Sequence, residues 1–410
     1  MRPARLCTLV TVLGAVAACE TDRATAPAIP ASVPAADGVA LSLATILGST
    51  VVDDPGVVGS HTSLVSGSDG VQRIAYHDAT NQRLKYASCS ANCTSAASWQ
   101  QSVIDPALNT GYYASLKVRS GVRYVVYGSP GGLKYASCAS ACQLEESWKK
   151  GVITVGGSFP SLTIGEDGRR YVSYIDAHTK RLMYITCLSG CSSAGNWQGI
   201  MVDEGLGIIN ERSRTSIAVG PDGRRHISYS AGGKLKYATC LTSCTNPANW
   251  QKLVVGPWLG NLGWFNSLAV DDNGVRHISH YDAQYGDVRY WRCPSNCTNS
   301  AGWKTAAVDR GSGATGTDVG RYTSLAVSGG KVHVSYYDVT GGRLKYASCS
   351  AGDCSLGASW QRQYVDGACV FAPCPGNVGG YTSLKLGGGK VHISYFNFTK
   401  GDLKYAELTP

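Results

Sequence analysis

The sequence predicts an all-β chain, a seven-bladed β-propeller with four antiparallel strands per blade, and three observations carry that expectation. A block of about fifty residues recurs seven times. Each complete block holds four strand-like runs, and the run missing from the last block lies ahead of the first.

The sixth copy shows the block most clearly. Tyr322-Thr323-Ser324-Leu325-Ala326-Val327 leads through a Gly turn to Val332-His333-Val334-Ser335-Tyr336-Tyr337-Asp338. A second turn leads to Leu344-Lys345-Tyr346-Ala347, then a Cys pair, then Trp360 to Asp366. The same order of parts begins at Ser63, Ser115, Ser161, Ser216, Ser267, Ser324 and Ser383, anchors 52, 46, 55, 51, 57 and 59 residues apart. The four runs, A to D in chain order, are separated by turns such as Ser68-Asp69-Gly70, Pro221-Asp222-Gly223 and Thr340-Gly341-Gly342. Four short antiparallel strands joined this way make one blade.

The ends set the blade count. Six units are complete, and the seventh stops after Leu403-Lys404-Tyr405-Ala406 without a strand D. Leu47-Gly48-Ser49-Thr50-Val51-Val52-Asp53 aligns with Trp360 to Asp366 and supplies it. A ring closed by its N-terminal strand removes two sheet edges at once. The propeller is therefore expected over residues 41–410.

Ahead of it, Met1 to Arg5 is short and basic, and Leu6 to Val16 is an apolar run too short to span a bilayer. Val16-Ala17-Ala18-Cys19 resembles the lipobox of bacterial lipoprotein signal peptides. The resemblance implies that residues 1–18 are removed and that Cys19 becomes a lipidated N-terminus held in a membrane by several acyl chains. Glu20, rather than Asp, after the Cys implies the outer membrane of the cell envelope. An ordinary export signal with a chance Cys is the plainer alternative. Residues 19–40, rich in Ala, Pro, Thr and Ser, read as a flexible tether.

Fifty Gly, 23 Tyr and nine Trp suit short strands and tight turns. The formal charge of +9 falls to 9 − 2 = +7 once Arg2 and Arg5 leave with the leader, and no basic block remains. Nucleic acid is not an expected partner. The expected partners are a glycan or protein ligand and the membrane lipid, for a monomer without cofactor or metal.

Fourteen of the 16 Cys lie in the body. Six pairs share one place between strands C and D: Cys89/Cys93, Cys138/Cys142, Cys187/Cys191, Cys240/Cys244, Cys293/Cys297 and Cys349/Cys354. A turn folding back on itself brings such residues within disulfide reach. Zinc would need four ligands, and no His accompanies the pairs. Export also favours disulfides. The seventh pair, Cys369/Cys374, falls between blades 6 and 7 and is expected to lock that connection.

The B–C turns and D-to-A connections share one face, and the A–B turns and Cys loops the other. Two positions ahead of the anchor serines stand His61, Tyr113, Phe159, Arg214, Phe265, Tyr322 and Tyr381, a largely aromatic ring opening on the first face. Aromatic rings stack on sugar C–H faces, while Arg and Asn hydrogen-bond hydroxyls or carboxylates; packing between blades is the alternative. Six Trp hold one strand D position and read as core. Trp258, Trp264 and Trp291 are extra and gather near the junction of blades 4 and 5. Trp258, Asn261, Trp264 and Phe265 form the preferred binding patch, on a variable loop of a rigid scaffold. His226, His277, His333 and His392 recur in strand B, but blades 1 to 3 have Arg73, Tyr124 and Tyr171 there. They read as interblade hydrogen-bonding groups, not a metal ring. Asp78, Asp176, Asp282, Asp338 and Asn397 end strand B and read as turn caps.

From about residue 44 onward, the repeats resemble the secreted bacterial propellers of the sialidase-like and seven-bladed lectin groups at the level of repeat architecture. The sialidase Asp-box, Ser-x-Asp-x-Gly-x-x-Trp, is missing, and the Cys pairs take its place. The resemblance implies carbohydrate binding. A sialidase-like glycoside hydrolase or lyase would draw on Glu211, Arg212, Arg214, Asp318, Arg321 and Tyr322, but fold alone does not transfer function. Near-regular repetition without a unique acid/base pair favours a surface-anchored, non-catalytic binding propeller. The rivals are that enzyme and a structural scaffold lipoprotein.

Overall fold

The computed structural model describes residues 43–256, 261–311, 316–350, 352–367 and 376–410, all within one compact unit, Ser42–Pro410. The leader, Cys19, the tether, Trp258, Cys369 and Cys374 lie outside the described residues.

The described chain forms seven four-stranded antiparallel sheets. Blade 1 is typical: strand A is Val58–Ser66, B is Gln72–Asp78, C is Arg83–Cys89 and D is Gln100–Asp105. Blade 7 takes strands A to C from Val378–Gly387, Lys390–Asn397 and Asp402–Thr409, and its fourth strand is Thr45–Asp53. That strand pairs antiparallel with Asp402–Thr409, Thr45 opposite Thr409 and Asp53 opposite Leu403. The split seventh blade is thus closed by the N-terminal strand.

Six disulfides staple the C–D turns of blades 1 to 6: Cys89–Cys93, Cys138–Cys142, Cys187–Cys191, Cys240–Cys244, Cys293–Cys297 and Cys349–Cys354. Their Cα–Cα distances run from 5.7 Å at Cys89–Cys93 to 5.9 Å at Cys349–Cys354. Each short loop contributes about 2 kcal/mol by the chain-entropy argument. These are the pairs expected from the spacing, and the structure adds that they lie inside the protein. Cys142, Cys191 and Cys297 are buried, each in the apolar cluster that also holds its partner Cys138, Cys187 or Cys293. The chain returning from the turn covers them. A strand D Trp folds back and donates its indole N–H to the carbonyl of the second Cys: Trp148 to Cys142 at 3.1 Å, Trp197 to Cys191 at 2.8 Å, Trp250 to Cys244 at 2.9 Å and Trp303 to Cys297 at 3.1 Å. The same Trp meets a Tyr of the preceding blade edge to face; Tyr184–Trp250 ring centres lie 5.1 Å apart and Tyr237–Trp303 5.1 Å. Apolar cores accordingly straddle blade boundaries, with Leu84 and Tyr86 of blade 1 in one cluster with Leu116 and Val125 of blade 2.

Two polar devices repeat between blades. At every junction the anchor Ser accepts the backbone N–H of the next strand A: Leu116 donates to Ser63 at 2.9 Å and Leu268 to Ser216 at 3.0 Å. At five junctions an Asp ending strand D accepts from a Tyr and a Lys of the next blade. Asp203, for instance, takes Tyr229 Oη at 2.8 Å and Lys236 Nζ at 2.7 Å. The strand B histidines differ from the expectation. His226, His277, His333 and His392 bond within their own blades, each through Nδ1 to a strand C Tyr at 2.5–2.6 Å. The His and Tyr are diagonal neighbours on one face of the sheet, His226 opposite Thr239 and Tyr237 opposite Ser228, which brings their side chains together. The residues ending strand B do cap their turns: Asp338 Oδ1 accepts the Gly341 N–H at 2.8 Å and Asn397 Oδ1 that of Thr399 at 3.1 Å.

Candidate functional site

The mouth of the channel is built by a backbone irregularity. In six blades the register of strands A and B slips just before the anchor Ser, as between Ser60 and Ser63 or Arg321 and Ser324. The residue inside that bulge is left-handed: His61, Tyr113, Phe159, Phe265, Tyr322 and Tyr381 have φ between 52° and 58°. Bulky side chains in this region are strained by about 1–3 kcal/mol and persist only where neighbours over-determine them. At four of the six a Thr of the following blade does so. Thr62, Thr215, Thr323 and Thr382 each donate to the ring-position carbonyl of the preceding blade and bond a strand B Ser there; Thr382 reaches Tyr322 O at 2.9 Å and Ser335 Oγ at 2.7 Å. Asn266 plays this part against Arg214 O, at 3.0 Å, and Ser228, at 2.6 Å. Sequence reasoning missed these residues, although Thr or Asn follows five of the seven ring positions.

Blade 4 is the exception. Its strand A, Thr215–Val219, pairs without a bulge, and Arg214 precedes it. The guanidinium is pinned through Nη1 to the carbonyls of Glu211, at 2.6 Å, and Ser213, at 2.8 Å. It lies 4.7 Å from the ring centre of Tyr113, 5.3 Å from Phe159 and 5.5 Å from Phe265. Arg214 thereby bridges the one gap in a closed circle of ring contacts. His61–Tyr113, Tyr113–Phe159, Phe265–Tyr322, Tyr322–Tyr381 and Tyr381–His61 centroids are 4.3–4.6 Å apart. All seven residues line one cavity of about 140 Å³, with Asn266 and several of the threonines beneath them.

The electrostatics of this cavity are one-sided. Arg214 is half-buried and has no ion-pair partner among the described residues. Burial lowers its pKa, and the nearby Tyr113, Tyr322 and Tyr381 hydroxyls with Glu211 act in the opposite direction. Burial pushes those three tyrosines up, so they stay protonated donors. His61 is driven well below its ordinary value by burial and then by the Arg214 charge. It is a neutral imidazole at pH 7, and its buried Nδ1 has no hydrogen-bond partner.

The other sequence candidates divide. The Glu211 side chain is exposed and acts on the ring only through its charge, while its backbone carbonyl holds Arg214. Arg212, Trp264, Tyr281, Arg321 and Asp318 form a separate stack on the flank of blades 5 and 6. Arg212 lies 4.7 Å over Trp264, Trp264 stacks on Tyr281 at 6.3 Å, and Arg321 sits 5.8 Å from the Tyr281 ring and donates to Asp318 at 2.5 Å. Arg321 and Asp318 therefore neutralise each other, while Arg214 and Tyr322 lie in the cavity. Asn261 is exposed, and its carbonyl accepts the Ala283 N–H at 3.0 Å. Trp291 belongs to the blade 5 core, buried and donating to His280 Nε2 at 3.0 Å. Among the described residues no three His, Cys, Asp or Glu gather as a metal site.

No protein-family model matches the chain, and no curated protein matches it. Solved structures share the fold at low identity. A protein of unknown function from Dyadobacter fermentans superposes with TM-score 0.53 at 11% identity, over 89% of this chain and 99% of that one. The polysaccharide lyase Uly1 does so with TM-score 0.53 at 10% identity, over 90% and 99%. A Hadza microbial sialidase, Hz136, is more distant, with TM-score 0.47 at 13% identity over 88% and 68%. The chain is a seven-bladed propeller, and a polysaccharide lyase is among the structures that share its fold.

Proposed function

We propose that the channel mouth recognises an acidic sugar, with Arg214 as the contact to its carboxylate and the surrounding aromatic rings as stacking surfaces. The single observation carrying this reading is Arg214 itself: a half-buried guanidinium without a carboxylate partner, at the one ring position that is not aromatic or His. A buried cation is costly unless paired, and a ligand anion supplies the missing charge. The phenols of Tyr113, Tyr322 and Tyr381 donate to sugar hydroxyls, which gives orientation as well as affinity. The disulfides in six blades fit an oxidising compartment, and in this reading a lipidated Cys19 holds the propeller at the cell surface. Titration calorimetry with a uronate-terminated oligosaccharide and its neutral counterpart tests the site. Binding of the acidic one alone, lost in Arg214→Met, is expected; equal binding of both, or no effect of Arg214→Met, refutes the reading.

A second reading, a β-eliminating lyase, draws on one further observation: a neutral His61 with a free Nδ1 stands in the same cavity as Arg214 and the tyrosines. Arg214 would neutralise a uronate carboxylate and so acidify the adjacent C–H. His61 would take that proton, the C–O bond to the leaving sugar would break as a C=C bond forms, and a Tyr hydroxyl would protonate the departing oxygen. The Uly1 neighbour, named a polysaccharide lyase, agrees with this chemistry. Release of ultraviolet-absorbing unsaturated ends, abolished by His61→Gln, separates the lyase from a pure binder.

A further inference from the structure

The seven strands A lie innermost, packed against one another around the axis, and none carries an Asp or Glu. Two carry a lysine at the same step, four residues after the ring position: Lys117 in blade 2 (Tyr112–Arg119) and Lys385 in blade 7 (Val378–Gly387). The other blades have Val65, Thr163, Ala218, Ala269 and Ala326 there. Blades 7 and 2 flank blade 1, so the two amines stand at one depth on either side of Val65. That depth is about 13 Å along the strand from the ring, at roughly 3.3 Å per residue.

Both lysines are half-buried, whereas the residues before them, Leu116 and Leu384, are fully buried. Because neighbouring blades cover both faces of each sheet, the remaining exposure is to the central channel. Neither amine has a hydrogen bond or an ion pair among the described residues. Enclosure disfavours both charges, and Lys385 further disfavours that of Lys117, whose pKa falls to about 7. Two enclosed cations close enough for one to disfavour the other's charge, with no counter-charge among the described residues, are poorly tolerated by themselves. An aliphatic side chain, as in four of the other blades, would fill the place at less cost.

We propose that Lys117 and Lys385 form an anion site inside the channel, separate from the mouth, that takes one phosphate- or sulfate-type oxyanion. This inference stands whether or not the mouth binds an acidic sugar. The anion is either a free inorganic ion or the sulfate group of a glycan reaching in from the mouth, and the chemistry of recognition is shared.

Thermal unfolding in inorganic phosphate and in chloride, at matched ionic strength, tests the site on the unaltered protein, Lys117→Met, Lys385→Met and Arg214→Met. The unaltered protein and Arg214→Met are expected to gain a saturable rise in Tm with phosphate. Both lysine variants lose that rise yet unfold no earlier in chloride, since repulsion is relieved. A rise equal in all four proteins, or lost only in Arg214→Met, overturns the proposal. A sulfated oligosaccharide provides the second arm: a lysine-dependent rise with it and none with phosphate assigns the anion to a glycan substituent. Titration calorimetry on the unaltered protein needs no variant, and absence of saturable binding for both probes overturns the site.

Discussion

Leu64 and Ser383 are 319 residues apart in the chain, and the Leu64 amide donates to the Ser383 hydroxyl at 2.9 Å. This bond joins the last blade to the first and has the same geometry as the Ser63–Leu116 bond between blades 1 and 2. The seam is therefore made with the same device as a covalently continuous junction. Ser383→Ala leaves a buried N–H without an acceptor and is expected to cost about 1–3 kcal/mol. Ser63→Ala should cost the same within error. Urea unfolding of the two variants checks this; a much larger loss at Ser383 would make the seam a special weak point.

The closing strand, paired along its length with Asp402–Thr409, is also tied to blade 1 by its last residue. Asp53 is buried, accepts from Tyr76 Oη at 2.6 Å and pairs with Lys85 of blade 1. Asp53→Ala strands a buried ammonium and a phenol, a loss of roughly 3–5 kcal/mol. Asp53→Asn, which still accepts from Tyr76, should recover part of it. Equal stability of both variants and the unaltered protein would show that the strand is not part of the cooperative unit.

Acid should destabilise the ring over a defined window. Burial lowers His77, His280 and His333 to about 4 and His226 to about 3, and lowers His61, His277 and His392 as well. In the unfolded chain these groups bind protons near pH 6.5. Between that value and about 4 the unfolded state holds more protons, so stability falls as pH drops, by up to about 1.4 kcal/mol per pH unit for each His. Asp287, raised to about 6 by burial, and Asp402, also raised by burial, oppose the trend, two groups against seven. His226→Tyr, which copies blades 2 and 3, should flatten the slope between pH 6.5 and 4; an unchanged slope would exclude His226 as a contributor.

At the mouth, substitution should separate charge from shape. Arg214→Lys keeps a cation but loses the planar group that sits over Tyr113 and bonds two carbonyls. It should therefore weaken acidic-sugar binding at least tenfold, almost as much as Arg214→Met. Trp264→Ala lies in the flanking stack and is expected to cost stability and little affinity. Calorimetry on both variants decides; a larger affinity loss at Trp264 would move the binding site to the flank.

The repeat, the split blade and the disulfide pairs were legible because they are one-dimensional: strand runs, turns and Cys spacings sit in a single unit. That Cys142, Cys191 and Cys297 would be buried was not, because the cover comes from the chain returning beyond the turn. The devices between blades were harder still, because each joins residues of different repeats, 53 positions apart for Ser63 and Leu116 and 23 apart for Asp53 and Tyr76. One was nonetheless written in the sequence. Where strand D ends in Thr154 or Gly256 instead of Asp, the next blade also lacks the Lys, with Met183 or Arg289 in its place. At the second of these junctions the Tyr has gone too, replaced by His280, which pairs with Trp291. That joint change explains why Trp291 is core, a fact its place in a Trp-rich stretch concealed. The ring at the mouth was visible as a column of residue types. Its left-handed backbone was not, since bulky aromatic residues are poor indicators of that conformation.

That backbone has a consequence for how such a molecule can change. In six blades the direction of the ring side chain is imposed by a bulge and a Thr of the next blade, or by the bulge alone, and not by the identity of the side chain. Each of these six ring positions is therefore open to replacement while the blade behind it stays folded, and a new side chain there still meets its neighbours in the ring. In the proposed reading, single substitutions at these six positions change what the mouth accepts and leave the fold in place. Arg214, on the one blade without the bulge, is the ring position that offers charge where the others offer aromatic or imidazole rings.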